Sequence, residues 1–200
     1  MHARPYEDPD RMSQAVFRAV MAAMARPGSI HSVPCIDRPP RALSGAAAAM
    51  ALALADHETP VFLDAKLAAA PETAAWLRLN TGAPVVSEPS AAAFAFVGDP
   101  SALGAFDQFA LGTADYPDRS TTLVLQVERF DGDGDARWCL SGPGVCGVRR
   151  FAATPMPVDF ATRMAVNHAR FPCGVDLILV GPQAVAALPR TVHVVGDEAS

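Results

Sequence analysis

The sequence predicts a mixed α/β protein, a central sheet covered by helices, and three observations carry that expectation. Stretches with apolar residues every three or four positions alternate with short runs rich in Val, Leu and Phe, the rhythm of strands separated by helices. Half of the residues are apolar and only 18% are charged, the balance of a chain that folds around a core. No repeat of about 20–50 residues recurs and no Pro/Gly/Ser linker divides the 200 residues. One domain over 11–196 is therefore expected, between a polar segment at 1–10 and a tail at 197–200.

Asp8-Pro9 reads as a cap followed by the proline favoured at the first helical position, and Met12, Val16, Val20 and Met24 then recur every fourth residue. That first helix stops at "RPG", residues 26–28, because Pro27 cannot continue the ladder. An extended "SIHSVPCI" follows. The Ala-rich segment 42–57 predicts a second helix, too short and too weakly apolar to cross a membrane, and "PVFLD" at 60–64 a buried strand. A helix near 71–79, strand-like "PVV" and "AFAFVG" pieces, and a helix at about 100–111 continue the pattern. "TTLVLQVERF" at 121–130 and "ARWCLSG" at 136–142 flank "DGDGD", which predicts an antiparallel hairpin. A helix at about 157–169 and strands at 174–180 and 190–195 complete the chain.

Composition excludes several functions. The net charge is −5, with 15 Arg and a single Lys, Lys66, so no basic stripe exists to neutralise a nucleic-acid backbone. Glu7, Asp8 and Asp10 stand where a secretory signal would be basic and then apolar, so a cytoplasmic address is expected. Cys35, Cys139, Cys146 and Cys173 form no C-x-x-C pair, which predicts reduced thiols.

Motifs that suggest chemistry fail on their details. Asp131, Asp133 and Asp135 mimic half of a calcium loop, but Ala136 stands where that loop needs Gly and Gly142 where it needs a bidentate Glu. The five His make no zinc spacing, so no metal is expected. "LSGPGV" at 140–145 has neither the G-K-[ST] of a phosphate loop nor a dinucleotide fingerprint, and reads as a turn. No G-x-S-x-G occurs, and no cofactor motif surrounds Lys66, so neither a serine hydrolase nor a pyridoxal-phosphate enzyme is indicated. Phe171, Pro172 and Val175 make the surroundings of Cys173 apolar, which favours a packed thiol over a nucleophile. Asp176, at the start of an apolar run, needs backbone or Arg donors and draws attention for that reason.

Seven blocks, in order, resemble the PhnH family of the bacterial carbon–phosphorus lyase system over about residues 10–195: "FRAVMAAMARPG", "ALADHETPVFL", "LNTGAP", "GTADYPDRSTTLVLQV", "LSGPGV", "FPCGVDLILV" and "LPRTVHV". The resemblance implies a fold similar to the large domain of pyridoxal-phosphate-dependent transferases without that cofactor, a homodimer, and partnership with the PhnG, PhnI and PhnJ subunits. It implies a supporting role, with no cofactor of its own, in an assembly where PhnI displaces adenine from ATP with a phosphonate and PhnJ later cleaves the carbon–phosphorus bond. No catalytic residue carries over. The positions in the matching blocks able to bind anions or partners are Arg26, Asp56, Thr59, Asn80, Thr81, Thr113, Asp176, Arg190 and Thr191. Asn80 stands where some members of the family have His, which removes an imidazole base from that position. The rival expectation is an autonomous enzyme holding a phosphonate or nucleotide between Arg190, Thr191, Asn80 and the "GPG" turn.

Overall fold

The computed structural model describes residues 9–131 and 137–196. A seven-stranded mixed sheet forms its centre, built from β1 (His31–Ser32), β2 (Val61–Leu63), β3 (Val85–Val86), β4 (Phe94–Val97), β5 (Thr122–Gln126), β9 (Asp176–Val180) and β10 (Ala184–Leu188). Their spatial order is β1-β10-β9-β5-β4-β2-β3; the five strands from β9 to β3 run parallel, while β10 and β1 are antiparallel to their neighbours. A second sheet of four strands, ordered β11-β7-β8-β6, is formed by β6 (Arg129–Asp131), β7 (Trp138–Ser141), β8 (Arg149–Thr154) and β11 (His193–Gly196).

Side chains alternate across the large sheet because successive residues of a strand point to opposite faces. Val124, Ile178 and Val180 face the layer of α1 (Pro9–Ala25), α2 (Gly45–Leu54) and α4 (Pro71–Thr81). Leu123, Leu125, Leu177 and Leu179 face the other layer, where α5 (Phe160–His168) and the small sheet pack. There Phe160 meets Trp138 with ring centroids 4.8 Å apart. Both faces are thus covered, and continuous apolar runs rather than alternating ones result.

α1 buries Met12, Val16 and Val20; Asp8, expected as its cap, lies outside the described residues. α2 is buried over Ala46–Ala51, and Ser44 caps it by accepting from the Ala47 N–H at 3.1 Å. Gln126, at the end of β5, accepts from the Ser44 N–H at 2.6 Å and donates to the Ala42 carbonyl at 3.1 Å, fixing this helix to the sheet. The "RPG" stop and the "GPG" turn interlock. Gly144 has φ +80, and a Cβ there would stand 2.4 Å from the Ala25 carbonyl oxygen.

Three sequence expectations need correction. Residues 100–111 are not a helix but two short 3₁₀ turns, Pro100–Ala102 and Phe106–Gln108. Buried Leu103, Phe106 and Phe109 recur every third residue, the period of a 3₁₀ ladder. The expected hairpin is absent, because β5 belongs to the large sheet while β6 and β7 each pair with β8, which inserts between them. The chain changes sheets over Val127 and Glu128, whose N–H groups donate to the Val180 and Thr154 carbonyls respectively. Of the "DGDGD" segment expected as the turn, the part beyond Asp131, with Asp133 and Asp135, lies outside the described residues. β8 and β10 were not expected; "AVAAL" reads locally as helix, and sheet context overrides that propensity.

Gly147 also has positive φ, +66, but nothing lies within 4 Å of its would-be Cβ. Substituting Ala at either glycine costs about 1–2 kcal/mol of backbone strain. Gly144→Ala should lose roughly 1–3 kcal/mol more from overpacking against α1, read as a lower urea midpoint than that of Gly147→Ala.

Candidate functional site

Two concave regions lie at opposite edges of the large sheet, and the sequence candidates gather at the amino-terminal edge of its parallel strands. A cleft of about 580 Å³ opens there, where β5 and β9 begin and β10 ends. Its walls are Met24 and Ala25 from the end of α1, Pro117 and Asp118, the turn residues Pro143 and Gly144, Phe171 and Pro172, Asp176, and Pro189, Arg190 and Thr191.

Arg190 organises this edge. Only 9% exposed, it uses all five guanidinium N–H groups on the protein itself. Nε donates to Asp176 Oδ1 at 3.1 Å and Nη2 to Asp176 Oδ2 at 2.6 Å, a bidentate pair. Nη1 donates to the carbonyls of Pro117 at 3.0 Å and Pro172 at 3.1 Å, and Nη2 also donates to Ser120 Oγ. The Arg190 backbone N–H adds a bond to Asp176 Oδ1 at 2.8 Å. One side chain therefore ties the segment before β5, the loop before β9, β9 itself and the turn after β10. Asp176 receives the donors its position demands.

The strand start at 170–176 is built by the neighbouring helix. Buried Asn167 donates to the Val175 carbonyl at 2.8 Å and accepts from the Val175 N–H at 2.9 Å. Gly174, φ +125, leaves room for that amide, since a Cβ would lie 2.7 Å from Asn167 Oδ1. The half-buried Cys173 is part of this turn. His168, at the end of α5, packs against His193 with ring centroids 3.7 Å apart and planes tilted by 48°, its Nδ1 lying 3.1 Å from the Arg190 carbonyl.

The other candidates stand elsewhere. Arg26 is exposed just beyond the cleft wall. Thr113 closes a turn of the loop before β5, accepting from the Tyr116 N–H at 3.0 Å. Asp56, Thr59, Asn80 and Thr81 form a second group at the same edge near β2 and β3, three strand spacings or about 14 Å from β9. Asp56 Oδ1 accepts from Thr59 Oγ1 at 2.7 Å and the Glu58 N–H at 2.9 Å, and the Thr59 hydroxyl foremost holds that carboxyl below its ordinary range. Asn80 donates to the Trp76 carbonyl and Thr81 to the Leu77 carbonyl, each at 2.8 Å. The structure thus brings Asp176, Arg190, Thr191 and the "GPG" turn together and leaves Asn80 apart from them.

The second concave region, about 340 Å³, lies at the carboxyl ends of β2 and β4 and holds Asp64, Lys66, Asp99 and Gln108. None of these was singled out as a site residue, although the sequence carries a signal: two predicted strands, "PVFLD" and "AFAFVGD", each lead into an aspartate. Asp64 accepts from the N–H groups of Leu67 at 2.9 Å and of Gly98 and Asp99 at 3.0 Å. Lys66, on α3 (Ala65–Ala68), donates to the Gly98 carbonyl at 2.9 Å. Among the described residues, no three His, Cys, Asp or Glu side chains are placed to hold a metal ion. No helix of the described residues is long and apolar enough to cross a membrane.

None of the four cysteines, all among the described residues, forms a disulfide. Burial pushes the Cys35 thiol up, and the Asp37 carboxylate adds to the effect. At about pH 8 a thiol-specific alkylating agent should modify exposed Cys146 well before Cys35, because only thiolate reacts; peptide mapping over time reads the order.

Removing the Arg190 guanidinium strands a partly buried carboxylate and frees two carbonyls. Arg190→Ala should destabilise the fold by about 3–5 kcal/mol in urea unfolding, and Arg190→Lys should recover only part, since an ammonium cannot span those partners.

The family described as bacterial phosphonate metabolism protein (PhnH) matches residues 4–195. The chain is 41% identical over 193 residues, 96% of its length and 94% of the relative's, to the alpha-D-ribose 1-methylphosphonate 5-triphosphate synthase subunit PhnH of Rhizobium meliloti (strain 1021). It is 36% identical over 84 residues, 42% of each chain, to the C-P lyase subunit protein HtxG of Stutzerimonas stutzeri.

Proposed function

The chain belongs to the PhnH family of bacterial phosphonate metabolism proteins, and from that premise we propose that it is a non-catalytic subunit of the carbon–phosphorus lyase assembly. There it supports transfer of the ribose triphosphate moiety of ATP to a phosphonate, the activity named for the Rhizobium relative. The observation that carries this reading is the closed bonding of Arg190. The guanidinium best placed in the amino-edge cleft has no donor left for a phosphonate, so the cleft is a rigid surface rather than an anion site.

The cleft walls suit a partner. Met24, Pro117, Pro143, Phe171, Pro172 and Pro189 give it an apolar lining, and Phe171 is 60% exposed. On α1, Phe17 and Met21, one turn apart, are each 53% exposed. Aromatic and Met side chains held out in water by a well-packed scaffold are the composition of interface centres. The partners in this reading are a second copy of the chain and the PhnG, PhnI and PhnJ subunits, and the setting is the cytoplasm. The fold is read as similar to the large domain of pyridoxal-phosphate-dependent transferases. A seven-stranded, mostly parallel sheet covered on both faces supports that similarity, and the apolar layer shared by the two sheets supports a single domain over 11–196.

Co-expression with the partner subunits tests the role. Phe171→Asp and the double variant Phe17→Asp/Met21→Asp should keep the melting temperature of the isolated chain while losing co-purification. Adenine release from ATP and methylphosphonate should require the full assembly. Steady release by the purified chain alone would refute the reading.

A further inference from the structure

The carboxyl-edge crevice lies where the chain reverses its direction of travel across the sheet. From β2 the chain passes to β3 on one side, then returns to β4 on the other side of β2, so the connections leaving β2 and β4 diverge. Open α/β sheets bind ligands in the gap this leaves. Here the gap has the volume of a small-molecule site, about 340 Å³.

Its floor is apolar and aromatic. Phe62 and Phe109 meet edge to face with centroids 6.1 Å apart, and Val97 and Leu103 complete the lining. Its rim is polar and mixed. Asp64 is consumed by three backbone N–H groups and serves as scaffold. Asp99 Oδ1 accepts from the Ser101 hydroxyl at 2.5 Å and the Ser101 N–H at 3.1 Å, leaving Oδ2 as a free acceptor. The Ser101 hydroxyl foremost holds the Asp99 carboxyl below its ordinary range, so it is ionised at neutral pH. Lys66 spends one N–H on Gly98 and keeps two, and the exposed Gln108 amide offers both a donor and an acceptor.

One ammonium beside two carboxylates disfavours a phosphate or phosphonate, which would bring further negative charge to the rim. The same ammonium disfavours an organic cation. An uncharged ring with a donor next to an acceptor satisfies Asp99 together with Lys66 or Gln108, and it rests on the apolar floor, where half-buried Phe62 is the aromatic side chain open to it and Phe109, 3% exposed, backs Phe62 from the core. We propose that this crevice binds an uncharged planar nitrogen heterocycle of the purine kind. The site is separate from the amino-edge cleft, and its occupancy does not depend on the assembly role.

Calorimetric titration of the isolated full-length chain with adenosine tests the site. Saturable binding is expected, with affinity reduced at least about tenfold both in Ala102→Trp, which fills the crevice from an exposed position, and in Gln108→Ala. Inorganic phosphate should not displace adenosine, and Gln108→Ala should keep the parent melting temperature, so it remains informative if the Trp variant fails to fold. No saturable heat at millimolar adenosine overturns the proposal. So does undiminished affinity in the folded variants, or displacement by phosphate.

Discussion

The pairing of Arg190 with Asp176 is the constraint on which the amino-terminal edge of the sheet depends. A guanidinium presents five N–H groups in a fixed fork, and burying it is favourable only when all of them are met. Here they are met from three chain segments, as many as 73 residues away from Arg190, with Pro117, Ser120, Pro172 and Asp176 converging on one side chain. The cleft around it inherits its shape from that convergence. A surface held this way is ordered before any partner arrives, and such preorganisation lowers the entropic cost of association.

The two edges of the sheet divide the chemistry. At the amino edge Arg190 and Asp176 are spent on structure and much of the cleft lining is prolyl and aromatic. At the carboxyl edge an ammonium, a carboxylate oxygen and an amide keep unfilled bonding capacity above an aromatic floor. One edge is suited to a protein and the other to a small molecule. That separation fits a subunit whose surroundings in an assembly differ from side to side.

The sequence made some of this legible and not the rest, for physical reasons. The four-residue spacing of Met12, Val16, Val20 and Met24 fixes α1 locally, and the apolar runs at β2, β4 and β9 stand out because strands buried on both faces need no alternation. Asp176 was visible because a carboxylate in an apolar run must find donors. That the donor is Arg190, with every N–H committed, could not be seen, since the count depends on carbonyls brought in by the loops before β5 and β9. Asp64 and Asp99 follow predicted strands, yet their meeting requires β2 and β4 to be neighbours, a fact of strand order. The missing helix at 100–111 is a difference between periods of three and 3.6 over two turns, too short a stretch for the pattern to separate them.

Both margins of the seven-stranded sheet are two residues long, His31–Ser32 on one side and Val85–Val86 on the other. Unpaired backbone along a sheet border invites a foreign strand to add itself, and long flat borders are the usual route to fibres. Borders this short give an incoming strand too few hydrogen bonds to hold it. Ordered growth by backbone zippering is therefore blocked at this sheet, and recognition across its flanks falls to side-chain shape.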